Sequence, residues 1–167
     1  LRFVEILEQA GLPPGVLNVV PGFGREAGAA LVDHPKVAKV TFTGGSASGS
    51  AVYQAAAKGL KQCTLELGGK SPNIVFEDAQ LDNAVKGAIA GIFAATGQTC
   101  IAGSRLLVQN SIYDAFVAKL VDFAASARIG DPMDAETQVG PVTTPEQFEK
   151  ILSYIEIAKA EGAKTLL

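Results

Sequence analysis

The chain has 167 residues, 48% of them apolar and 19% charged, a composition that excludes a disordered segment and favours a folded domain. Lysine and arginine number 14 against 17 acidic residues, so the net charge of -3 disfavours a nucleic-acid or anionic-membrane partner. Cys63 and Cys100 are too few for a disulfide framework and lack metal-ligand spacing, which favours a reducing, cytoplasmic location.

Hydrophobic patterning predicts alternating helices and strands along the chain. A first helix ends at Gly11, and the charges within residues 1–10 argue against a signal peptide. Aliphatic or β-branched runs predict strands at residues 17–20, 37–42, 63–67, 73–76 and 105–109. Periodic or alanine-rich segments predict helices at residues 24–33, 50–58 and 81–95, and from residues 111 and 144 onward. The uncharged runs 40–57 and 87–104 are interrupted by polar residues and glycine, so we expect no membrane span.

This alternation predicts an α/β fold with parallel, doubly wound sheets. In such sheets, ligands bind at the carboxyl ends of the strands. The loops after residues 20, 42, 67 and 95 are therefore the expected places for a functional site.

Residues 42–49, Phe-Thr-Gly-Gly-Ser-Ala-Ser-Gly, follow a predicted strand and lead into a predicted helix. Gly44 and Gly45 let backbone amides approach a ligand closely, and a helix N-terminus favours an anion. The segment fits a phosphate or pyrophosphate site, although it is neither a G-x-G-x-x-G fingerprint nor a P-loop. A tight turn without a ligand is the alternative.

Two further residues are candidates for catalysis. Cys100 lies between glycines in a predicted loop, where an accessible thiol can act as a nucleophile, and a structural cysteine is the alternative. Glu66 lies among apolar residues at a strand end, a setting that suits a general base, and an ion pair with Lys70 is the alternative. Cys63, in the same strand, is expected to be a core residue.

His34 is the only histidine, and its position before Pro35 predicts a cap at a helix end. A Ser-His-Asp triad or a Cys-His pair would have to use this one residue. The sequence contains no metal-ligand cluster, so no metal site is expected. Cysteine and glutamate remain as the candidate pair.

The segments around these two residues resemble the NAD(P)-dependent aldehyde dehydrogenases. The resemblance is carried by residues 65–73, LELGGKSPN, and by residues 97–100 and 102–105, GQTC and AGSR, with Glu66 and Cys100 separated by 34 residues. Residues 21–24, 42–44 and 140–141 also match. The resemblance extends over the whole chain, which corresponds to part of a family subunit and is expected to be an internal segment.

The resemblance implies a role for each candidate residue. Cys100 matches the nucleophile that attacks the aldehyde carbon, with its backbone N–H as one oxyanion donor. Glu66 matches the base that activates water to release the acid. The cofactor is NAD or NADP, and the residues matching its site are Gly24, Phe42, Thr43, Gly44, Gly45, Ser46, Gly49 and Leu67. Many members carry serine where this chain has Gly45, so one hydrogen bond to the pyrophosphate is expected to be missing.

The resemblance also implies a domain organisation. Residues 1–68 match the second half of a Rossmann-like cofactor domain, and residues 69–167 match the first part of the catalytic domain. The second oxyanion donor, an asparagine, and the residues that separate NAD from NADP are expected before Leu1. The implied partners are a small aldehyde substrate and further copies of the subunit in a homo-oligomer, with no nucleic acid and no membrane.

Two alternatives to aldehyde oxidation stay open. Relatives that acylate coenzyme A resemble the chain around Cys100 but generally lack the glutamate that matches Glu66. The chain could also be a binding or structural module without activity.

Overall fold

The computed structural model describes all 167 residues, Leu1–Leu167. They form two compact units, Leu1–Leu67 and Gly68–Leu167, each with its own pair of parallel strands. The α/β class with parallel sheets is thus confirmed. None of the helices combines the length and apolar composition that crossing a bilayer requires.

The first unit contains one pair of strands and three helices. In chain order they are α1 (Arg2–Gln9), α2 (Ala29–Asp33), β1 (Lys39–Gly44), α3 (Ser46–Lys58) and β2 (Gln62–Leu67), and a π-helical turn, Gly24–Gly28, leads into α2. Strands β1 and β2 pair in parallel from Lys39 opposite Gln62 to Gly44 opposite Leu67. The buried apolar side chains of this unit are Val40 and Ala56, so its core is small.

The second unit has a larger core between its helices and strands. Its elements are β3 (Pro72–Val75), α4 (Leu81–Phe93), β4 (Arg105–Val108), α5 (Tyr113–Ala125) and α6 (Pro145–Ala160), with β3 and β4 paired in parallel. Val75, Val85 and Ala88 pack with the fully buried Phe116. Burial of one such aromatic ring contributes about 1.5–3 kcal/mol to folding.

An exposed ion pair joins α4 to α5 in this unit. Lys119 donates a hydrogen bond of 2.7 Å to Asp82. That hydrogen bond, together with the attraction of the ammonium group, lowers the pKa of Asp82 below its usual value. The pair adds little to stability because both side chains are solvated.

The predicted strand at residues 17–20 is wrong. A strand needs a neighbour that completes its hydrogen-bond ladder, and β1 and β2 pair only with each other. The Asn18 side chain instead donates a hydrogen bond of 2.8 Å to the Gly15 carbonyl and closes a local turn.

Several predicted boundaries shift, and the last helix begins with a side-chain cap. The loop predicted at residues 43–49 shrinks to Gly45, because β1 extends to residue 44 and α3 begins at residue 46. The helix predicted at residues 81–95 ends at Phe93, and the one predicted from residue 111 begins at Tyr113 after a 3-10 turn. The hydroxyl of Thr144 accepts a hydrogen bond of 3.3 Å from the Gln147 amide at the start of α6.

Candidate active site

In the first unit, the predicted phosphate loop and the predicted base lie together at the carboxyl ends of β1 and β2. The parallel register places Thr43 opposite Glu66 and Gly44 opposite Leu67. This edge is where α/β sheets bind their ligands. The structure therefore brings these two segments to one place within the unit.

Two glycines at this edge leave no space for a Cβ atom unless a neighbouring side chain moves. A Cβ atom on Gly44 would lie 2.6 Å from Cζ of Phe42, whose ring folds back over the strand end. Gly49 is buried in α3, and a Cβ atom there would lie 2.5 Å from Cδ2 of Leu67. Side chains at either position would displace Phe42 or Leu67 from the strand ends.

Gly49→Ala is expected to lower the free energy of unfolding by about 1 kcal/mol, because the steric cost against Leu67 exceeds the gain in helix propensity. Gly87→Ala is the matched control, since Gly87 also lies inside a helix but a Cβ atom there meets open space. The control is expected to gain about 1 kcal/mol. Urea unfolding of the full-length variants checks both values, and equal stabilisation by the two would contradict the close packing.

The N-terminus of α3 is open to an anion. Its N-cap residue, Gly45, supplies no side-chain hydrogen bond, and the first helical bond runs from the Gly49 amide to the Gly45 carbonyl at 2.9 Å. The amides of residues 46–48 thus lack a side-chain cap, and the helix dipole adds a partial positive charge. These residues fit a phosphate group. Gly24, in contrast, faces open space at its Cβ position, so nothing there requires glycine.

The prediction that Glu66 lies in apolar surroundings is wrong within this unit. Side chains alternate along β2, and Glu66 lies on the exposed face, whereas Leu65 and Leu67 are half-buried. Glu66 has no ionic partner within its unit, so its carboxylate is accessible to water there. Cys63 is also only half-buried, so it is not a full core residue.

In the second unit, a left-handed backbone segment leads into the loop that carries Cys100. Ala95, Thr96 and Gly97 have φ values of 49°, 59° and 71°. Left-handed conformations of residues other than glycine cost of order 1–3 kcal/mol each and persist only where surrounding contacts hold them. The thiol itself is exposed, as a nucleophile requires.

Side-chain hydrogen bonds hold the first half of this loop to the segment that precedes α6. The Thr96 hydroxyl donates to the Gly140 carbonyl at 3.3 Å. The Gln98 side-chain oxygen accepts from the Thr143 amide at 3.4 Å, and its amide nitrogen donates to the Ala95 carbonyl at 3.4 Å. These contacts account for the persistence of the left-handed segment.

The second half of the loop is held by the backbone and by one arginine. Ala102 is buried, and the Gly103 amide donates to the Gly91 carbonyl of α4 at 3.1 Å. Arg105 Nε donates a hydrogen bond of 2.8 Å to the Lys70 carbonyl. Cys100 therefore lies on a short loop that is fixed on both sides.

A groove of about 610 Å³ begins beside Thr96 and is lined mainly by apolar residues. Ile129 and Val139, which form an isolated parallel bridge, line it together with Pro141 and Phe148. Sequence reasoning missed this groove, because no periodic pattern predicts a bridge between two irregular segments. It also missed the roles of Thr96 and Gln98, for which the only signal is their place before Cys100.

His34 lies at a helix end, as its position before Pro35 predicts. His34 is exposed at the end of α2, where its Nδ1 accepts a hydrogen bond of 3.2 Å from the Lys36 amide. The structure contains no group of three or more histidine, cysteine or acidic side chains placed to hold a metal ion. Cys100 and Glu66 belong to different units.

Known proteins resemble this chain along its whole length. The sequence profile of the Aldehyde dehydrogenase family matches residues 1–167. A betaine aldehyde dehydrogenase of Cereibacter sphaeroides is 52% identical over 164 residues, covering 98% of this chain and 34% of that protein. The chain thus spans about a third of the length of the curated relatives it matches.

Solved structures also match nearly the whole chain. PnpE in complex with nicotinamide adenine dinucleotide is 49% identical with a TM-score of 0.96, over 99% of this chain and 34% of that one. Betaine aldehyde dehydrogenase from Staphylococcus aureus, in complex with NAD+, is 43% identical with a TM-score of 0.93, over 99% of this chain and 33% of that one.

Proposed function

The chain belongs to the aldehyde dehydrogenase family, and from this premise we propose that the whole protein oxidises an aldehyde to a carboxylic acid with NAD+ or NADP+. The observation that carries the proposal is the exposed Cys100 on a loop fixed on both sides. An accessible thiol in a preorganised loop is what nucleophilic catalysis on a carbonyl requires.

The cofactor site in this proposal is the edge formed by β1, β2 and the start of α3. The amides of Ser46 and the following turn bind the pyrophosphate, and Gly44 and Gly45 let it approach the backbone. Thr43, Gly49 and Leu67 shape the same edge together with Phe42. Gly24 is included in the proposed cofactor site on the family resemblance. The bound dinucleotide supplies the acceptor for the hydride that leaves the aldehyde carbon.

Cys100 performs the first covalent step of the proposed reaction. Its thiolate adds to the aldehyde carbon, and the carbonyl oxygen becomes an oxyanion in a thiohemiacetal. The backbone N–H of Cys100 forms no hydrogen bond within the chain, so it is free to donate to that oxyanion. Loss of hydride from the carbon then leaves the acyl group on Cys100 as a thioester.

Glu66 acts in the second half of the reaction. Its carboxylate takes a proton from water as the water oxygen attacks the thioester carbon. The C–S bond breaks, Cys100 leaves as the thiolate that began the reaction, the carboxylic acid is released, and Glu66 returns its proton to the solvent. The solvated position of Glu66 on β2 suits this role, because the base must meet water.

The proposal extends to domain roles and assembly. Residues 1–68 supply part of the cofactor domain and residues 69–167 part of the catalytic domain. The family resemblance is the basis for proposing a homo-oligomer, and the cysteine usage is the basis for proposing a cytoplasmic location. The names of the relatives make betaine aldehyde and aminoaldehydes the first substrates to test.

The full-length protein is expected to reduce NAD+ or NADP+ when given betaine aldehyde or propanal, and to release the free acid. NADH absorbance and chromatography of the products check this result. Product found as acyl-CoA when coenzyme A is added would favour the acylating alternative. Absence of NADH and NADPH with both aldehydes would favour a binding or structural module.

A further inference from the structure

Arg105 links the end of the cysteine loop to residues 68–71, the segment that follows β2. Its side-chain Nε donates a hydrogen bond of 2.8 Å to the Lys70 carbonyl. Its backbone N–H donates another, of 3.2 Å, to the Ser71 carbonyl. Arg105 is also the first residue of β4, so it follows the cysteine loop directly.

The 68–71 segment has few other anchors. Gly68 and Gly69 have no side chains, and glycine loses the most conformational freedom when it is ordered. The Lys70 ammonium donates to the carbonyl of its own neighbour, Gly69, at 3.0 Å. Arg105 therefore supplies the only side-chain hydrogen bond that holds this segment from elsewhere in the chain.

The same segment lies against the cysteine loop. A Cβ atom on Gly69 would lie 3.6 Å from the Cys100 carbonyl oxygen. On the other side of the loop, a Cβ atom on Gly103 would lie 3.3 Å from Cβ of Asn73. The main chain of Gly69 thus approaches that of Cys100 closely, so a shift of the adjacent Lys70 carbonyl is transmitted to Cys100.

We propose that Arg105 is a positioning residue, which fixes residues 68–71 against the main chain of Cys100 and so holds the thiol in its reactive place. This inference rests on the proposed function of Cys100. Arg105 acts through one donated hydrogen bond to a carbonyl oxygen. The effect therefore depends on a donor at this distance, which distinguishes it from a general requirement for positive charge.

The test is made in the full-length protein with Arg105→Met, which keeps an apolar stem but has no donor. We expect kcat to fall about 10-fold to 100-fold, as for a misplaced reacting group, while KM for the aldehyde stays within about threefold. Arg105→Gln is expected to restore kcat to within about threefold of the wild type, because the glutamine side-chain nitrogen stands where arginine Nε does and donates the same bond without a charge.

Arg128→Met is the matched control. Arg128 Nε also donates a hydrogen bond of 2.8 Å to a carbonyl, that of Glu136, but in a segment outside the cysteine loop. Its kcat and KM are expected to equal those of the wild type. A second measurement follows alkylation of Cys100 by iodoacetamide with peptide mass spectrometry. The rate should change at least about threefold in Arg105→Met and stay constant in Arg105→Gln and Arg128→Met.

Unchanged kcat and alkylation rate in Arg105→Met would overturn the proposal, and so would an equal fall in Arg128→Met. Arg105→Leu, which also lacks a donor, replaces the methionine variant if that variant unfolds. The alkylation measurement does not need turnover. A constant alkylation rate would therefore count against the role of Arg105 alone. Activity in a Cys100→Ala variant would instead count against the proposed function.

Discussion

Replacing Cys100 with alanine is expected to lower aldehyde oxidation by the full-length protein by about 10⁴-fold or more. The methyl group cannot add to the aldehyde carbon, so neither the thiohemiacetal nor the thioester can form. The loop itself should keep its conformation, because the bonds that hold it come from Thr96, Gln98 and Arg105. Steady-state NADH formation at saturating aldehyde measures the effect.

Cys63→Ala is the control for this variant. Cys63 is half-buried in β2 opposite Val40, so its loss should cost some stability and leave the rate close to that of the wild type. Calorimetric titration with NAD+ should give the same affinity for both cysteine variants and the wild type. Substantial turnover by Cys100→Ala would exclude the proposed mechanism.

Glu66→Gln is expected to slow the steady-state rate by about 10²–10⁴-fold while leaving the first turnover of NADH nearly intact. The amide cannot take a proton from water, so the acyl group stays on Cys100 after the hydride has left. A stopped-flow trace should therefore show a burst of NADH close to one equivalent per active site, followed by a slow phase.

The matched control for this carboxylate is Glu26→Gln. Glu26 is an exposed residue of the first unit whose ionic partner is the adjacent Arg25 at 3.6 Å. Its replacement removes a carboxylate of the same kind without touching β2, and both kinetic phases should equal those of the wild type. If Glu66→Gln lowered the burst and the steady state equally, the role of Glu66 in hydrolysis would be wrong.

The helices of the second unit could be predicted from the sequence because their signals are local and strong. Residues 81–93 show a helical repeat of apolar side chains, and Thr144 precedes Pro145 and Gln147 in a capping pattern. Both features depend on neighbours in the chain, so the helices appear where the pattern places them. The parallel pairing followed from the alternation of strands and helices.

The strand at residues 17–20 could not be predicted correctly, since a strand exists only with a partner. Apolar composition indicates that a segment can pair, but it carries no information on whether a neighbour is available. Exposed apolar side chains such as Val19 and Val20, at 49% and 59%, are consistent with a surface that the rest of a longer protein covers.

The environment of the candidate residues was only partly predictable. The exposed position of Cys100 followed from the glycines around it. The exposure of Glu66 could not be read from its apolar neighbours in the sequence. Side chains alternate between the two faces of a strand, so adjacent residues lie on the opposite face from Glu66. The left-handed Ala95 and Thr96 leave no local signal, since neither residue type favours that conformation.

The proposed mechanism requires that Cys100 carry the acyl group which Glu66 helps to hydrolyse. The most direct test mixes full-length Glu66→Gln with NAD+ or NADP+ and propanal, quenches in acid and measures the mass of the peptide that contains Cys100. We predict one propanoyl group on Cys100, absent when the dinucleotide is omitted. Formation of NADH or NADPH with an unmodified Cys100, or with the acyl group on another residue, would contradict the claim.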